Sequence, residues 1–376
     1  MEIPRVLVVT NDFPPRVGGV QQYVWNLVTR LPANRVLVLA PNWPGWRAHD
    51  RGQAFPVQRW PERFLWPTAD LLRRVRGQVA EHRADVVLFG HGFPLPMLAP
   101  DLRSHGVPSV VLTHGAEVWL ARAPLFSSAM RRGLAAVRHV TAVSEYTSCV
   151  LRALVPPEVP FSVLAPAVDP HRFSASTDGG PVRSRHRLEE RRVVLCVSRL
   201  VPRKGQDVLI RAAPLVRELV PDAALLIVGD GPDRPRLERL AEETPAGTVV
   251  FAGEAPDDEL PSYYAACDLF AMPCRSRWGG LEVEGFGIVF LEAAAASKAV
   301  VCGRSGGASE AVRDQVTGML VEGGEPKAVA LAITRLLRDP DTIGRMGQSG
   351  RRRIEAEFSW EGRTRQLVDI LAGAVA

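Results

Sequence analysis

The sequence predicts an α/β protein with two lobes, each built on a doubly wound parallel sheet. The chain has 376 residues, enough for two domains of about 150 residues each. Short runs of β-branched residues and leucine alternate with helical patterns, as expected for parallel strands that helices cover on both faces. One Pro-rich and then polar stretch, ending at Pro181, interrupts the alternation and is typical of a linker. We therefore expect lobes at 1–173 and 190–355, a linker at 174–189, and a cleft between the lobes.

The first lobe begins with a predicted strand from Arg5 to Thr10, followed by a glycine-bearing loop and a helix with Val20, Val24 and Leu27 on one face. Further strands are predicted at 35–40, 85–89, 108–113 and 139–143. The second lobe repeats the alternation, with strands predicted at 192–197, 223–228, 248–252, 269–272 and 299–302. A last helical pattern at 356–376 is expected to pack back on the first lobe.

The composition is that of a soluble globular protein. Apolar residues make up 46% of the chain and charged residues 23%, which excludes disordered and fibrous proteins. No apolar run approaches the roughly 18 residues of a membrane-spanning helix. The run Val6–Val9 is too short for a signal peptide, so we expect a cytoplasmic protein. The five cysteines form no Cys-x-x-Cys pair, which favours reduced thiols over disulfides or zinc ligands.

The net charge is unevenly distributed along the chain and is positive in its first part. Residues 1–150 contain 17 arginines, no lysine and 10 acidic residues, whereas the remainder is slightly acidic. This asymmetry indicates a negatively charged partner. Compositional bias is the alternative, because the whole chain has 43 arginines and only three lysines. We find no nucleic-acid-binding motif and expect no nucleic-acid partner.

Loops that follow the strands of an open parallel sheet carry its ligands, and two of these loops have suitable chemistry. Gly18 and Gly19 open a helix, where free amides and the helix dipole favour a phosphate; a tight turn is the alternative. Arg199, Arg203 and Lys204 follow the first strand of the second lobe. Their cations favour an anion clamp over a merely solvated loop.

A third segment, 284–292, places Glu284 and Glu292 eight positions apart around a glycine loop that leads into a predicted helix. The amides of Gly287, Ile288 and Val289 are expected to point outward at the helix start and suit a phosphate, while the carboxylates suit sugar hydroxyls. Exposed glutamates without such a role are the alternative.

Two histidines also end strands of the first lobe. His114 is in a position to hydrogen-bond a substrate. His91 has a similar position, and there we favour a hydrogen-bonded structural histidine. The Asp339-Pro340-Asp341 sequence has no strand before it and is interpreted as a helix-ending turn. We therefore expect no metal site.

Taken together, these segments resemble the retaining family 4 glycosyltransferases of the GT-B fold, which has two Rossmann-like lobes. The resemblance covers nearly the whole chain, and segment 284–292 looks like the family's Glu-x7-Glu motif. The likeness is strongest to the actinobacterial GDP-mannose-dependent mannosyltransferases that extend phosphatidylinositol mannosides. The other matching segments, in the family's order, are 11–21, 113–115, 198–207, 270–275 and 305–307.

The resemblance implies roles for individual residues. Arg199 and Lys204 would bind the donor diphosphate and stabilise the leaving phosphate. Glu284 would contact the donor sugar, Glu292 the nucleotide ribose, and His114 the donor sugar near the reacting carbon. The leaving phosphate would take the acceptor's proton on the same face, with retention and without a metal or other cofactor. Further donor contacts are expected from Gly18, Gly19, Gly287, Ile288 and Val289, and acceptor contacts from Asp12 and Gln21.

Three residues depart from the family's motifs, and they bear on which donor and acceptor the enzyme uses. Ala116 stands where those mannosyltransferases lead us to expect a histidine, and Trp278 and Leu281 replace smaller or different residues before Glu284. We expect a mannosyl donor, GDP-mannose, and a phosphatidylinositol-mannoside-like acceptor. The alternatives are a UDP-sugar-dependent transferase acting on a soluble cyclitol, sugar or natural product and, from another class, a non-catalytic nucleotide-sugar-binding protein.

A basic amphipathic stretch adds a possible lipid contact to these expectations. It would bind an anionic membrane and place the protein peripherally at the inner face of the cell membrane. An ordinary helix with its apolar side in the core is the alternative. The residues are Arg122, Arg131, Arg132 and Arg138, with Leu125, Phe126, Met130 and Leu134 between them.

Overall fold

The computed structural model describes residues 3–376, and the chain divides into two compact units. The first lobe comprises the chain up to Pro166 together with Trp360–Ala376, and the second lobe comprises Ala167–Ser359. Each lobe contains its own parallel sheet, which confirms the predicted fold class.

The first lobe has a seven-stranded parallel sheet in the order β3-β2-β1-β4-β5-β6-β7. Its strands are β1 (Val6–Val9), β2 (Val36–Pro41), β3 (Val57–Trp60), β4 (Val86–Phe89), β5 (Ser109–Thr113), β6 (His139–Ala142) and β7 (Phe161–Val163). Its helices up to Pro166 are α1 (Gly19–Val28), α2 (Trp46–Arg51), α3 (Ala69–His82), α4 (Ala99–Ser104), α5 (Glu117–Arg122), α6 (Pro124–Leu134) and α7 (Glu145–Arg152).

The second lobe has a six-stranded parallel sheet in the order β10-β9-β8-β11-β12-β13. Its strands are β8 (Arg192–Val197), β9 (Ala223–Val228), β10 (Val249–Gly253), β11 (Leu269–Met272), β12 (Ala299–Gly303) and β13 (Gly318–Val321). Its helices are α8 (Gly180–His186), α9 (Gln206–Leu219), α10 (Arg234–Glu242), α11 (Leu260–Ala266), α12 (Ile288–Ala295), α13 (Ala308–Ala311), α14 (Pro326–Leu337) and α15 (Pro340–Glu357).

The central strands of both sheets are buried on both faces. All residues of β1, β4, β9 and β11 are buried, as their continuous apolar runs predict. In both sheets the strand order reverses beside the first strand, between β1 and β4 and between β8 and β11. The loops after these strands diverge and leave a crevice, which is where open α/β sheets bind ligands.

The sequence prediction missed three strands, β3, β7 and β13. Each lies at or near a sheet edge, and none is buried throughout. Edge strands need no continuous apolar run, so their sequences carry a weaker signal. The Asp339-Pro340-Asp341 sequence directly follows the end of α14, as predicted, and it also begins α15. Asp339 Oδ1 accepts a hydrogen bond from Thr342 N at 2.9 Å and so caps α15.

The segment predicted as a linker, 174–189, is part of the second lobe. It contains α8, which packs on α11, and a Cβ at Gly179 would lie 2.4 Å from the backbone nitrogen of Ala266. Arg183 Nη2 donates to Asp268 Oδ2 at 2.9 Å. The chain passes from the first lobe to the second at 166/167 and returns at 359/360, whereas the sequence prediction ended the first lobe at 173 and placed the second at 190–355.

The last helix, α16 (Trp360–Val375), belongs to the first lobe. It packs on α1, β4 and β5, with Leu367 and Leu371 fully buried. Gln366 Nε2 donates to the carbonyl of Val163 at 2.8 Å, which ties the helix to the edge strand β7.

Candidate active site

A buried ion pair lies at the crevice of the second lobe. The chain leaves β8 through a loop and a 3₁₀ turn that ends at Lys204, and Lys204 Nζ lies 2.7 Å from Glu284 Oε2. The two side chains are only 11% and 9% exposed. Burial favours a neutral Glu284, but the charges of Lys204 and Arg203 outweigh it and hold the pKa of this carboxyl below its ordinary value. Glu284 is therefore ionised at neutral pH.

Gly205 allows this loop to approach β11. It adopts a left-handed conformation with φ +80°, and a Cβ there would lie 2.1 Å from the carbonyl oxygen of Pro273. Gln206 Nε2 donates to Ser198 Oγ at 2.8 Å and to the carbonyl of Arg199 at 3.1 Å. The loop is thus fixed at both ends.

The two arginines of this loop differ in their surroundings. Arg199 is exposed, and its side chain makes no ion pair or hydrogen bond with any part of the chain that the structure describes. Arg203 lies 3.8 Å from both Glu282 and Glu284. The sequence prediction assigned a role to Arg199 and overlooked the contact of Arg203 with Glu284.

The loop after β12 holds the backbone of Glu284 in place. Ser305 Oγ accepts from Glu284 N at 3.2 Å, and Gly307 N donates to the carbonyl of Glu284 at 2.9 Å. A Cβ at Gly306 would lie 2.3 Å from that carbonyl, so the approach requires glycine. This contact explains why the Ser305-Gly306-Gly307 sequence accompanies Glu284.

Helix α12 begins directly after the Glu284 loop and has no side-chain cap. Its N-cap is Gly287, with φ +87°, and no side chain within residues 3–376 caps the first amides of the helix. Ile288 and Val289 form the first two helical positions and are half-buried. Uncapped amides at the positive end of a helix dipole suit an anion.

Glu292, one turn further along α12, has a different environment from Glu284. Its Oε2 accepts a hydrogen bond from the Tyr264 hydroxyl at 2.6 Å. Burial raises the pKa of Glu292 above its ordinary value, although Tyr264 and the charge of Arg172 oppose the shift. Tyr264 lies on α11, distant in sequence, and no pattern in the sequence pointed to it.

A second cluster of titratable groups lies at the crevice of the first lobe. His91, after β4, places Nε2 2.6 Å from Asp12 Oδ2 and Nδ1 3.1 Å from Glu117 Oε1. Burial disfavours the charge of His91, but the two carboxylates outweigh it and raise its pKa to about 10. Burial likewise opposes ionisation of Asp12 and Glu117, yet the contact with His91 lowers the pKa of both.

His114, after β5, is buried beside this cluster. Its Nε2 lies 2.7 Å from the carbonyl oxygen of Gly90, and its backbone nitrogen donates to Glu117 Oε2 at 3.0 Å. Burial and the charge of His91 lower the pKa of His114 to about 4. Glu117 is the first residue of α5, whose N-cap is Ala116, and no pattern in the sequence pointed to its contact with His114.

The loop before α1 brings the predicted acceptor contacts Asp12 and Gln21 together. Gln21 Nε2 donates to Asp12 Oδ1, and a Cβ at Gly18 would lie 2.3 Å from Gln21 Oε1, so a side chain at position 18 would displace the end of Gln21. Gly19 is the first residue of α1, which also lacks a side-chain cap, and is exposed.

The described residues, 3–376, contain neither a cluster of metal-binding side chains nor a membrane-spanning helix. They contain no group of three or more His, Cys, Asp or Glu side chains arranged for a metal ion. Within the same range, no helix has the length and apolar character to cross a membrane.

Comparisons with known proteins match two long segments of the chain to glycosyltransferase family models. Residues 17–172 match the family described as Glycosyltransferase Family 4, and residues 182–353 match the family Glycosyl transferases group 1. The structure of Anabaena HepE in complex with UDP and glucose superposes with a TM-score of 0.82 and 22% identity, over 98% of this chain and 99% of that one. This likeness supports the GT-B fold.

Two relatives match along almost their whole length. A GDP-mannose-dependent alpha-(1-6)-phosphatidylinositol monomannoside mannosyltransferase of Mycobacterium tuberculosis is 43% identical, over 98% of each chain. A GDP-mannose-dependent monoacylated alpha-(1-6)-phosphatidylinositol monomannoside mannosyltransferase of Corynebacterium glutamicum is 38% identical, over 98% of this chain and 97% of that one. The chain therefore belongs to the family 4 glycosyltransferases, enzymes of the GT-B fold.

Proposed function

We propose that this enzyme transfers mannose from GDP-mannose to a phosphatidylinositol-mannoside-like glycolipid, with retention of the anomeric configuration and without a metal ion. The donor and acceptor named for the two full-length relatives support this substrate pair. The observation that carries the proposal is the buried Lys204–Glu284 ion pair, directly before an uncapped helix amino terminus.

The second lobe supplies the donor contacts in this proposal. Lys204 and Arg199 bind the diphosphate, and they stabilise the negative charge that grows on it as the sugar leaves. The α12 amides contact sugar and phosphate from Gly287, Ile288 and Val289. Glu284 accepts hydrogen bonds from sugar hydroxyls, and Glu292 does so from the ribose.

The first lobe supplies the acceptor side and one donor-sugar contact. His114 contacts the donor sugar, Gly18 and Gly19 approach the diphosphate, and Asp12 with Gln21 borders the acceptor. The bond between the anomeric carbon and the phosphate oxygen breaks, and a bond to the acceptor oxygen forms on the same face. The acceptor's proton passes to the leaving phosphate, so the step needs no separate base.

Turnover of GDP-mannose with a monomannosylated phosphatidylinositol acceptor tests this function. We expect a product with the donor's anomeric configuration by NMR and equal rates with and without EDTA. Lys204→Met should lower kcat at least 100-fold, on the scale of removing one transition-state charge contact. Lys327→Met, on the exposed side of α14, is the matched control and should retain full activity.

The same assay also tests the alternative function, a UDP-sugar-dependent transferase with a soluble acceptor. Preferential turnover of a UDP-sugar with a soluble cyclitol, in the absence of lipid, would replace the proposed substrates. An inverted product would contradict the retaining step, and loss of activity in EDTA that Mg²⁺ restores would contradict the metal-free step.

We also propose that the enzyme docks peripherally on anionic lipid through α5 and α6. Trp119, Leu125 and Phe126 are exposed by 48%, 87% and 40%, and Arg131 and Arg132 are exposed on the same helix pair. Apolar side chains beside arginines suit the boundary of an anionic membrane. The structure refines the predicted stretch, because Met130 and Leu134 are buried and Arg138 lies beyond α6.

Vesicle sedimentation tests this docking. Binding should require anionic lipid and should fall several-fold in a Leu125→Ser, Phe126→Ser double variant. Leu331→Ser changes a 71% exposed leucine of the second lobe and should bind like the wild type. Equal binding to neutral vesicles, or no effect of the double variant, would contradict the proposal.

A further inference from the structure

We propose that His91 is a positioning residue for glycosyl transfer: clamped between Asp12 and Glu117, it holds His114 as a neutral imidazole whose Nδ1 accepts a hydrogen bond from a donor-sugar hydroxyl. This inference rests on the proposed function, in which His114 contacts that sugar. His91 itself acts only through His114.

The clamp joins three neighbouring loops of the first lobe. Asp12 follows β1, His91 follows β4 and Glu117 opens α5 after β5, and these strands are adjacent in the sheet. Glu117 Oε1 also accepts from Gly92 N at 3.0 Å, and Glu117 Oε2 accepts from His114 N at 3.0 Å. One carboxylate therefore fixes the loops that carry both histidines.

The clamp requires His91 to be an imidazolium. Each ring nitrogen faces a carboxylate oxygen, at 2.6 Å and 3.1 Å, and ionised carboxylates only accept hydrogen bonds. A neutral imidazole has one N–H and would leave one of these contacts without a proton. The pKa of about 10 agrees with this geometry.

The surroundings of His114 favour the opposite state, a neutral imidazole. Its Nε2 faces the carbonyl oxygen of Gly90 at 2.7 Å, and since a carbonyl cannot donate, the proton is on Nε2. The His91 and His114 ring centroids are 4.8 Å apart. A second proton on Nδ1 would put two like charges side by side in a buried site, which is costly.

The other groups that face His114 do not favour its protonated form enough to make it an imidazolium. Asp12 and Glu117 attract a proton, but His91 neutralises much of their charge, and Arg16 also lies 3.4 Å from Asp12 Oδ1. From α1, the Tyr23 ring meets His114 edge-on with centroids 5.5 Å apart and carries no charge. His114 Nδ1 makes no hydrogen bond within residues 3–376 and remains an acceptor for a substrate hydroxyl.

A His91→Gln variant tests the inference through the pH dependence of kcat/KM. The substitution removes the imidazolium and leaves two carboxylates beside His114, so the pKa of His114 should rise from about 4 toward its ordinary value, although burial still lowers it. The neutral acceptor is then lost as pH falls. We expect the variant to lose about ten-fold more activity than the wild type between pH 7.5 and 5.5. His105→Gln, an exposed histidine of the first lobe, is the matched control and should follow the wild-type profile.

A second measurement does not depend on a variant that folds. In ¹⁵N-histidine NMR of the full wild-type chain at pH 6.5, we expect His114 to show a protonated Nε2 and an unprotonated Nδ1. A protonated His114 Nδ1, or parallel pH profiles of His91→Gln and the wild type, would overturn the inference. Failure of the wild type to turn over GDP-mannose would instead count against the proposed function, because the NMR result is independent of the substrate.

Discussion

At the scale of single residues, the Lys204–Glu284 pair links stability to pH. Because the pKa of Glu284 lies below its ordinary value of 4.5, its ionisation stabilises the fold above that value, and this contribution is lost as pH falls through the lower folded-state value. Removing one partner of a buried pair costs about 3 kcal/mol.

We therefore predict that Lys204→Met lowers Tm strongly at pH 7 and much less at pH 3.5. In the variant the unpaired Glu284 protonates readily, so the difference from the wild type narrows in acid. Thermal melts by circular dichroism at both pH values measure this. Lys327→Met should superimpose on the wild type throughout, and a pH-independent difference for Lys204→Met would contradict the prediction.

The hydrogen bond from Tyr264 to Glu292 is a second contact with a direct test. Tyr264→Phe removes the donor and leaves a buried carboxylate whose pKa rises further, so its ribose-binding form is depleted. A net loss of about 1 kcal/mol corresponds to a roughly five-fold weaker Kd for GDP. Calorimetric titration of the variant measures it. Tyr263→Phe, at the neighbouring position, should bind GDP like the wild type, and equal affinities for all three chains would show that the bond is irrelevant to binding.

At the scale of elements, Gly205 decides whether the cationic loop can join β8 to α9. Gly205→Ala combines a left-handed φ with a Cβ 2.1 Å from the Pro273 carbonyl, and we predict a loss of at least about 2 kcal/mol in the free energy of unfolding. Urea unfolding measures it. Gly344→Ala lies within α15, where a Cβ meets nothing within 4 Å, and should gain roughly 0.5–1 kcal/mol. A neutral Gly205→Ala would mean that the loop relaxes freely.

The individual strands and helices also show which parts of the fold the sequence could predict. Buried strands such as β1 and β11 have continuous apolar runs, and α12 follows a glycine loop, so these elements were predicted close to their observed positions. The edge strand β3, with the sequence Val57-Gln58-Arg59-Trp60, lacks such a run. The Gly-Pro start and polar neighbours of helix α8 are typical of loops and therefore predict a linker there.

The candidate site also depends on contacts that the sequence alone could not predict. Glu284 and Lys204 were each singled out by the loops that carry them, but their mutual contact joins residues 80 positions apart. The Asp12–His91–Glu117 clamp depends on strand order, since β1, β4 and β5 become neighbours only in the folded sheet. Tyr264 reaches Glu292 from another helix, and side chains of this kind are found only by tertiary packing.

At the scale of the whole molecule, each lobe forms its candidate binding crevice in the same way. Each reverses its strand order beside its first strand, and each places buried charged groups on the loops that diverge there. The second lobe presents cations and helix amides, whereas the first presents a histidine held by carboxylates. One topology thus supplies two chemically different crevices by changing only the loops.

The folding of the first lobe also depends on the last helix, because the chain returns to this lobe after it has formed the second one. The lobe is completed by α16, whose Leu367 and Leu371 are fully buried, and burying each such side chain contributes about 1.5–3 kcal/mol. A chain ending at Ser359 should therefore lose the first lobe while the second, with its own core, stays folded. Hydrogen exchange by mass spectrometry should show lost protection in β1, β4 and β5 but retained protection in β8 and β9. A chain lacking only residues 373–376 is the control and should keep both patterns, whereas loss of protection in both sheets of the longer truncation would mean that the lobes unfold as one cooperative unit.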